Sequence, residues 1–480
     1  MARLALLAAL MGVIFASPAY AGGPGLRIGA AEDVVKEPTL PAARAQMQLL
    51  KLAGLDTVRI TAIWQPGLTE PAPTEALEIS NAVNAANMLG IDVVVAVYNA
   101  SSATTPLTDE SRDEFAAFAA GVARKHRSIR DLIVGNEPNL NRFWMPQYDA
   151  AGASTSPAAY VALLARTYDA VKEVSPDITV WGGSVSPRGT DNAFGLRPSH
   201  SPTTFIQGIG DAYRATGRML PIMDGLATHP YGDNSSQAPS ASAHPRNTSV
   251  GLADYLKLVG MLTQAFAGTA QLGSTLPLLY DEYGVESTLP ADKAPLYTGI
   301  EPTGTRPVDP VTQAIYYREA IQLAFCQPNV RGLLLFHTID EPDLNRWQSG
   351  LYYADSTPKG SLPSVRKAVS DSRRGVIATC PGLTLTPKLV SAVWPTGGSR
   401  RRPVEVRMTC SLDCAGTLAA VNVVTRKQAA VVKVRQAGGA VRRTSIGPLP
   451  RGSYRLRVSL RAPVNPGGTL QRRSPPFVIR

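Results

Sequence analysis

The chain has 480 residues, of which 44% are apolar and 18% charged, so we expect a large buried core and exclude extensive disorder. Its net charge is +11, with 48 Lys and Arg residues against 37 Asp and Glu. Only one long apolar run is present, at the very start, which excludes a multi-pass membrane protein.

That first apolar run has the features of an export signal. Arg3 supplies the positive start, residues 4–16 the apolar stretch, and Ala19 and Ala21 the small residues of a cleavage site. At about 13 residues the stretch is too short to span a bilayer comfortably, although a retained membrane anchor is the alternative. We therefore expect residues 1–21 to be removed and the mature protein to be secreted or associated with the cell wall. The Ala- and Arg-rich composition favours a bacterial source.

Residues 26–375 alternate apolar runs with amphipathic, helix-like stretches such as 112–126 and 157–174. Eight apolar runs are predicted strands: 26–30, 57–64, 92–98, 132–136, 179–182, 225–228, 278–281 and 332–337. Nearly continuous apolar runs indicate strands buried on both faces, as in parallel sheets. Eight such units predict an α/β fold with a closed (β/α)8 barrel, which we place at residues 22–378. An open doubly wound sheet is the alternative, but residues 27–32 lack its Gly-rich phosphate loop.

The last hundred residues have a different composition. From residue 381 onward there are 18 Lys and Arg residues but only two acids, Glu405 and Asp413, whereas the rest of the chain is slightly negative. We predict a linker at 379–388 and a basic immunoglobulin-like β-sandwich at 389–480, from short strand-like runs separated by turns. The basic residues form either a solvated face or a surface that attracts an anionic cell-wall polymer. We expect no nucleic-acid binding, since no motif of that class is present.

The four cysteines fit an exported protein. Cys410 and Cys414 are four residues apart, a spacing that allows a disulfide across a tight loop, and Cys326 and Cys380 would then pair by elimination. No histidine lies near Cys410 or Cys414, so the spacing matches no zinc template. We therefore predict two disulfides and no metal ion at these cysteines.

Polar and aromatic side chains are concentrated at the carboxyl ends of the predicted strands, which is where barrel enzymes carry their active sites. In chain order these candidates are Arg59, Trp64, Tyr98, Asn99, Asn136, Glu137, His229, Tyr231, Glu282 and His337. Glu137 follows strand four and Glu282 follows strand seven, so the two carboxyls would face each other across the barrel mouth. Such a pair is what glycosidic bond cleavage requires, with one carboxyl donating a proton and the other attacking the sugar or activating water.

The Asn136-Glu137-Pro138 sequence and the strand-seven Glu282 resemble the large clan of retaining (β/α)8 glycoside hydrolases. Within the clan, residues 26–375 look most like the cellulase-like (family 5-like) and β-xylosidase-like (family 39-like) families. The resemblance implies that Glu137 is the general acid/base and Glu282 the nucleophile. It also implies that Asn136 contacts the sugar 2-hydroxyl and that Arg59 keeps the nucleophile ionised.

Further along the chain, His229-Pro230-Tyr231 resembles the His-x-Tyr of the clan's strand six. There the tyrosine would orient the nucleophile and the histidine would line the subsite. Two positions depart from the family pattern, because Tyr98-Asn99 stands where strand three has a histidine, and Phe336-His337 where strand eight has a tryptophan. Trp347 would then serve as the sugar-stacking platform.

Three further residues have competing interpretations. Trp64 either stacks on a sugar or belongs to the core. Asp281 adjoins Glu282, and we expect it to point to the other face of its strand. Glu286 is expected to lie in the following loop, as a structural or rim residue.

We expect an exported, monomeric, retaining glycosidase that acts on a β-linked oligo- or polysaccharide without a metal or organic cofactor. The alternative is a non-catalytic carbohydrate-binding barrel of the cell surface, although a pure binder would not need Arg59 and Tyr231 beside Glu282. Metal-assisted hydrolysis is less favoured, because His229 and His337 are too few histidines for a typical catalytic zinc site.

Overall fold

A computed structural model describes residues 22–480, and the predicted export signal at 1–21 lies outside the described residues. Eight parallel strands form a closed barrel in chain order, so the open-sheet alternative is wrong. The strands are β1 (Arg27–Ala31), β2 (Thr57–Trp64), β3 (Asp92–Asn99), β4 (Asp131–Val134), β5 (Thr179–Val185), β6 (Gly225–Thr228), β7 (Leu278–Tyr283) and β8 (Val330–Leu335).

Eight helices alternate with these strands. They are α1 (Leu40–Leu52), α2 (Pro73–Leu89), α3 (Asp109–Lys125), α4 (Ser156–Val174), α5 (Pro202–Ala215), α6 (Tyr255–Ala265), α7 (Pro310–Phe325) and α8 (Leu362–Arg373). Polar N-caps fix where several of them begin, because the side chains of Thr39, Thr108, Ser201 and Asp309 accept otherwise unpaired backbone N–H groups. No helix among residues 22–480 is long and apolar enough to cross a membrane.

The barrel strands have two buried faces, which explains their nearly continuous apolar sequences. On β2, Val58, Ile60, Ala62 and Trp64 pack into the large core between strands and helices. Small and apolar side chains such as Val94, Ala96 and Leu279 fill the barrel interior instead. Since side chains alternate along a strand, Arg59 lies on the interior side of β2.

The C-terminal part is an all-β domain of two sheets. Its strands are β9 (Leu389–Val393), β10 (Gly397–Gly398), β11 (Val404–Cys410), β12 (Cys414–Asn422), β13 (Gln428–Gln436), β14 (Val441–Ile446), β15 (Gly452–Arg461), β16 (Leu470–Arg473) and β17 (Phe477–Ile479). One sheet has the order β10-β17-β15-β12-β13, with β16 beside β15, and the other the order β14-β11-β9. Their inner faces share one apolar core.

The two domains are joined by contacts that belong to both. Leu385 and Ala462 are part of the same apolar core as the barrel. The side chain of Asn465 accepts the N–H of Cys380 and donates to the carbonyl of Ala378. Asp413 forms a two-pronged ion pair with Arg374, which directly follows α8.

The cysteines are paired as the sequence led us to expect. Cys326, at the end of α7, is bonded to Cys380 in the segment between the domains, with their Cα atoms 5.2 Å apart. Cys410 is bonded to Cys414 across the turn between β11 and β12. The first disulfide therefore fixes the start of the C-terminal segment to the last helices of the barrel.

Candidate active site

A cleft of about 400 Å³ opens at the carboxyl ends of the barrel strands. Eight of the candidate residues line it: Arg59, Tyr98, Asn136, Glu137, Tyr231, Glu282, His337 and Trp347. The backbone turns sharply where strand β4 ends, since Gly135 has a φ of 90° and Glu137 a φ of 42°. This left-handed turn, which is unfavourable for a glutamate, brings the Glu137 carboxyl into the cleft.

The carboxylate of Glu282 is held by two donors. Nη1 of Arg59 donates to Oε1 of Glu282 at 2.7 Å, and the hydroxyl of Tyr231 donates to Oε2 at 3.0 Å. Arg59 also donates to Oδ1 of Asn136 at 2.9 Å. Burial and the adjacent Glu282 raise the pKa of Tyr231 well above its ordinary value, so the phenol remains a donor. These contacts fix one orientation of the Glu282 carboxylate.

His229 lies between the two glutamates. Its side chain is fully buried, with Nδ1 at 3.0 Å from Oε1 of Glu137 and 3.4 Å from Oε2 of Glu282. Its other nitrogen, Nε2, is 3.3 Å from Oδ2 of Asp281. Burial alone would lower the pKa of His229, but Glu282 and Asp281 outweigh it and raise the pKa to about 10. The resemblance placed His229 on the subsite wall, whereas the structure places it below the carboxylates as a buried cation.

The side chain of Asp281 points toward the site. The expectation that it lies on the other face of its strand is therefore wrong. Leu279 belongs to the barrel interior, and Asp281 follows it on the same side because strand side chains alternate. Its Oδ2 accepts the hydroxyl of Ser184 at 2.6 Å and lies 3.3 Å from Nε of Arg59. The register of β7 against β8 shifts between Tyr280 and Tyr283, which allows Glu282 to face the cleft as well.

Replacing Asp281 by Asn is expected to lower the pKa of His229 by about one unit or more, because a buried anion beside Nε2 favours the imidazolium. Since the pKa of about 10 exceeds the ordinary 6.5, the ionic contacts of His229 stabilise the fold fully below pH 6.5 and are lost as the pH rises toward 10. Histidine NMR titration would measure this pKa. The exposed Asp169, paired with Arg218, gives the control Asp169→Asn, which should leave the His229 midpoint unchanged. An unchanged midpoint in Asp281→Asn would contradict the assignment.

Trp347 forms one wall of the cleft. Its ring stacks on Tyr231, with the ring centres 4.9 Å apart, and meets Phe336 edge to face. It lies in the long segment between β8 and α8, which a buried ion pair fixes in place. Nζ of Lys359 donates to Oδ1 of Asp340 at 2.7 Å and to the hydroxyl of Ser287 at 2.9 Å. The segment that carries Trp347 is therefore tied to the loop after β7.

Replacing Lys359 by Met is expected to lower the free energy of unfolding by about 3–5 kcal/mol, because it leaves the buried Asp340 carboxylate unpaired. The side chains of Lys359 and Asp340 are both 0% exposed. Lys367, which is 67% exposed and paired with Asp371, provides the matched control. Lys367→Met should change the stability by less than about 1 kcal/mol. Urea unfolding of both variants would test this, and equal effects would contradict it.

Besides the buried His229, two of the candidate residues do not line the cleft. Trp64 is buried against Phe115, and its indole N–H donates to the carbonyl of Leu68, so its interpretation as a sugar platform is wrong. Asn99 is also buried, and its amide donates to the carbonyls of Ser101 and Phe143. Asn99 therefore supports a cleft-lining loop from behind instead of contacting a ligand.

Several cleft residues were missed in the sequence. Glu32 and Asp33 directly follow β1, a strand end for which we named no candidate, so their position was an available signal. Arg142, Phe143 and Arg346 lie well beyond the ends of β4 and β8, in loops whose path the sequence does not reveal. Glu286 lies in the loop after β7 as expected, and of its two interpretations the structural one fits better, because it is only 7% exposed and burial raises its pKa to about 7.

No family model and no curated protein sequence matches this chain. Among solved structures, it is similar to a family 39 glycoside hydrolase from Bacteroides cellulosilyticus, with a TM-score of 0.54 and 16% identity over 89% of this chain and 80% of that one. The chain has the fold of these (β/α)8 glycoside hydrolases. The resemblance seen in the sequence is thus confirmed at the level of the fold.

Two further solved structures are similar at lower scores. One is a GH5_18 protein from Streptomyces cattleya in complex with GlcNAc, with a TM-score of 0.48 and 18% identity over 74% of this chain and 81% of that one. The other is a monomeric β-xylosidase from Caulobacter crescentus, with a TM-score of 0.46 and 14% identity over 89% and 96%. Identities this low leave the chemistry to be argued from the site.

Proposed function

We propose that this protein is a retaining glycoside hydrolase that cleaves a β-linked glycan, with Glu137 as general acid/base and Glu282 as nucleophile. The observation that carries the proposal is the pair of glutamates in one cleft, joined through a single buried histidine. Arg59 and Tyr231 hold one of the two in a fixed orientation, which an attacking carboxylate requires.

The spacing of the two carboxyls favours retention over inversion. Oε1 of Glu137 and Oε2 of Glu282 both lie close to Nδ1 of His229, at 3.0 and 3.4 Å. The two oxygens are therefore no farther apart than the sum of these distances, which is below the range of about 6.5–9.5 Å typical of inverting enzymes. A separation this short favours direct attack by the second carboxylate over attack by an intervening water.

In the first step, an oxygen of Glu282 bonds to the anomeric carbon while the bond to the leaving oxygen breaks. Glu137 transfers its proton to that leaving oxygen, so the alcohol departs neutral and a glycosyl ester remains on Glu282. Oδ1 of Asn136 is occupied by Arg59, which leaves its amide N–H groups for a sugar hydroxyl. Trp347 offers an aromatic face at the wall of the same cleft.

In the second step, Glu137 takes a proton from water as the water oxygen attacks the anomeric carbon and releases the Glu282 carboxylate. The charge of Glu282 is absent while the ester exists, and Asp281 then remains as the anion beside the imidazolium of His229. Nδ1 of His229, at 3.0 Å from Oε1 of Glu137, holds that carboxyl in place at the cleft.

We also propose that the enzyme is exported and works outside the cytoplasm. Two disulfides in one chain are typical of proteins that fold in an oxidising compartment, which supports this proposal. Its substrate would then be an extracellular oligo- or polysaccharide. Fractionation of cells that produce the full chain would test it, and a protein confined to the reduced cytoplasm would contradict it.

The direct test of the reaction uses residues 22–480 with a panel of β-glucans, mannans, xylans, galactans and aryl β-glycosides. We expect new reducing ends to appear, and NMR of the first product to show the β-anomer. The α-anomer as first product would contradict the double displacement. Binding without cleavage across the panel would favour a non-catalytic carbohydrate-binding barrel instead.

A further inference from the structure

The outer face of the larger C-terminal sheet is strongly basic. Residues on this face alternate with the buried residues Tyr454, Leu456, Val458 and Leu460 of β15. Six exposed basic side chains point outward from β13, β15 and β16: Lys433, Arg435, Arg455, Arg457, Arg461 and Arg473. The two acids of this domain lie elsewhere, with Glu405 on the smaller sheet and Asp413 paired with Arg374.

Five of these side chains, all except Arg473 of β16, border a groove with a floor of small residues. Strand β12 lies between β13 and β15, and its outward residues are Ala415, Thr417, Ala419 and Val421. Arginines of β15 form one side of the groove, and Lys433 and Arg435 of β13 form the other. We call this feature the basic groove. Strands are about 4.8 Å apart and rise about 3.3 Å per residue, so the groove is about 10 Å wide and about 20 Å long.

The charges of the basic groove are not neutralised within the protein. Among residues 22–480, none of its side chains lies within 4.0 Å of an acidic group. Arg457 is paired directly with Arg473 on the neighbouring strand, and like charges at such positions are destabilising. Asp413 is paired with Arg374, which is the main cause of its lowered pKa, and Arg435 contributes to a smaller degree. A fold that carries this repulsion without internal compensation is suited to an external anion.

The shape of the groove favours a linear polymer of acidic sugars as that anion. A groove with charged side chains along β15 and, over part of its length, along β13 can receive one chain and contact it from both sides, which a flat bilayer surface does not match. The outward positions of β12, β13, β15 and β16 carry no aromatic residue on which bases could stack, as single-stranded nucleic acids require. The choice of a polysaccharide, as opposed to another polyanion, also rests on the proposed function of the barrel.

We propose that the basic groove binds a chain of an anionic polysaccharide. Arginine and lysine on both sides of β12 contact the acidic groups of successive sugars, and the small floor lets the chain approach the sheet. This binding places the barrel on acidic glycan material independently of what the cleft hydrolyses.

The test compares the wild-type protein with two variants of the full chain, each lacking four positive charges. The groove variant carries Arg435→Ser, Arg455→Ser, Arg457→Ser and Arg461→Ser. The control variant carries the same change at four exposed arginines outside the groove, namely Arg400, Arg401, Arg402 and Arg442. Binding to polygalacturonate would be measured by calorimetry at low salt, with uncharged dextran as the neutral probe.

We expect the groove variant to bind polygalacturonate at least about tenfold more weakly and the control variant less than about threefold, at about 50 mM salt. Wild-type binding should weaken as salt is added, and dextran should not bind. Equal losses in both variants, or no binding by the wild type, would overturn the proposal. So would tighter binding to single-stranded DNA or to phosphatidylglycerol vesicles. The readout does not involve hydrolysis, so its failure can be told apart from failure of the proposed enzyme activity.

Discussion

Replacement of Glu282 by Ala is expected to lower kcat/KM by about 10⁵-fold or more, which corresponds to roughly 7 kcal/mol of transition-state stabilisation. Without this carboxylate no group is positioned to attack the anomeric carbon, since Arg59 and Tyr231 only donate hydrogen bonds there. The fold should survive, because Arg59 keeps Asp281 as a partner. Steady-state kinetics with an aryl β-glycoside, together with thermal unfolding, would measure both effects.

A second carboxyl provides the matched control for this experiment. Glu286 lies four residues after Glu282 and is also buried near the cleft. Glu286→Gln should retain activity within about tenfold, because its carboxyl has no place in the displacement. Added azide should partly restore the Glu282→Ala enzyme and give the α-glycosyl azide, since azide then attacks from the vacated side. Full activity of the Glu282→Ala enzyme would refute our assignment of the nucleophile. Loss of activity in Glu286→Gln but not in Glu282→Ala would refute it as well.

Replacement of Glu137 by Ala is expected to affect substrates according to their leaving groups. A natural glycan must receive a proton on its leaving oxygen, so its kcat/KM should fall by about 10²–10⁴-fold. The leaving group of an aryl glycoside with an acidic phenol departs without that proton. The kcat/KM for such a substrate should therefore fall by less than about tenfold. The KM of the variant for the aryl glycoside should also fall. Hydrolysis of the glycosyl ester has lost its base, so this intermediate accumulates.

A plot of log kcat/KM against leaving-group pKa would separate this role from a structural one. The slope should become steeper in Glu137→Ala than in the wild type. Glu341, another carboxyl at the cleft with a side chain 30% exposed, gives the control Glu341→Gln, which should leave the slope unchanged. A uniform loss across all leaving groups in Glu137→Ala would show that Glu137 is not the proton donor.

The barrel could be predicted from the sequence because its eight strands are apolar on both faces and alternate with amphipathic helices. The site was predicted where its residues directly follow strand ends, as Asn136, Glu137 and Tyr231 do. For Trp64 and Asn99 the sequence carried a signal against direct contact with a sugar, although that interpretation was left open. Strand side chains alternate, so Trp64 lies on the opposite side of β2 from Arg59, and Asn99 on the opposite side of β3 from Tyr98.

Other features of the site could not have been found this way. Alternation alone places Asp281 and Glu282 on opposite faces, and only the register shift near the end of β7 brings both to Arg59. The buried position of His229 between three carboxylates also depends on contacts among strands far apart in sequence. Such contacts follow from tertiary packing, which local patterns do not encode.

The joint between the domains limits how this protein can be rearranged. Leu385 and Ala462 belong to the same apolar core as the barrel. The side chain of Asn465 forms hydrogen bonds with the backbone of Ala378 and Cys380. A gene that ended after α8 would therefore expose apolar surface on the barrel, and a foreign C-terminal module would lack the matching side chains. The two domains are thus expected to be inherited together, so that duplication or recombination carries them as one unit.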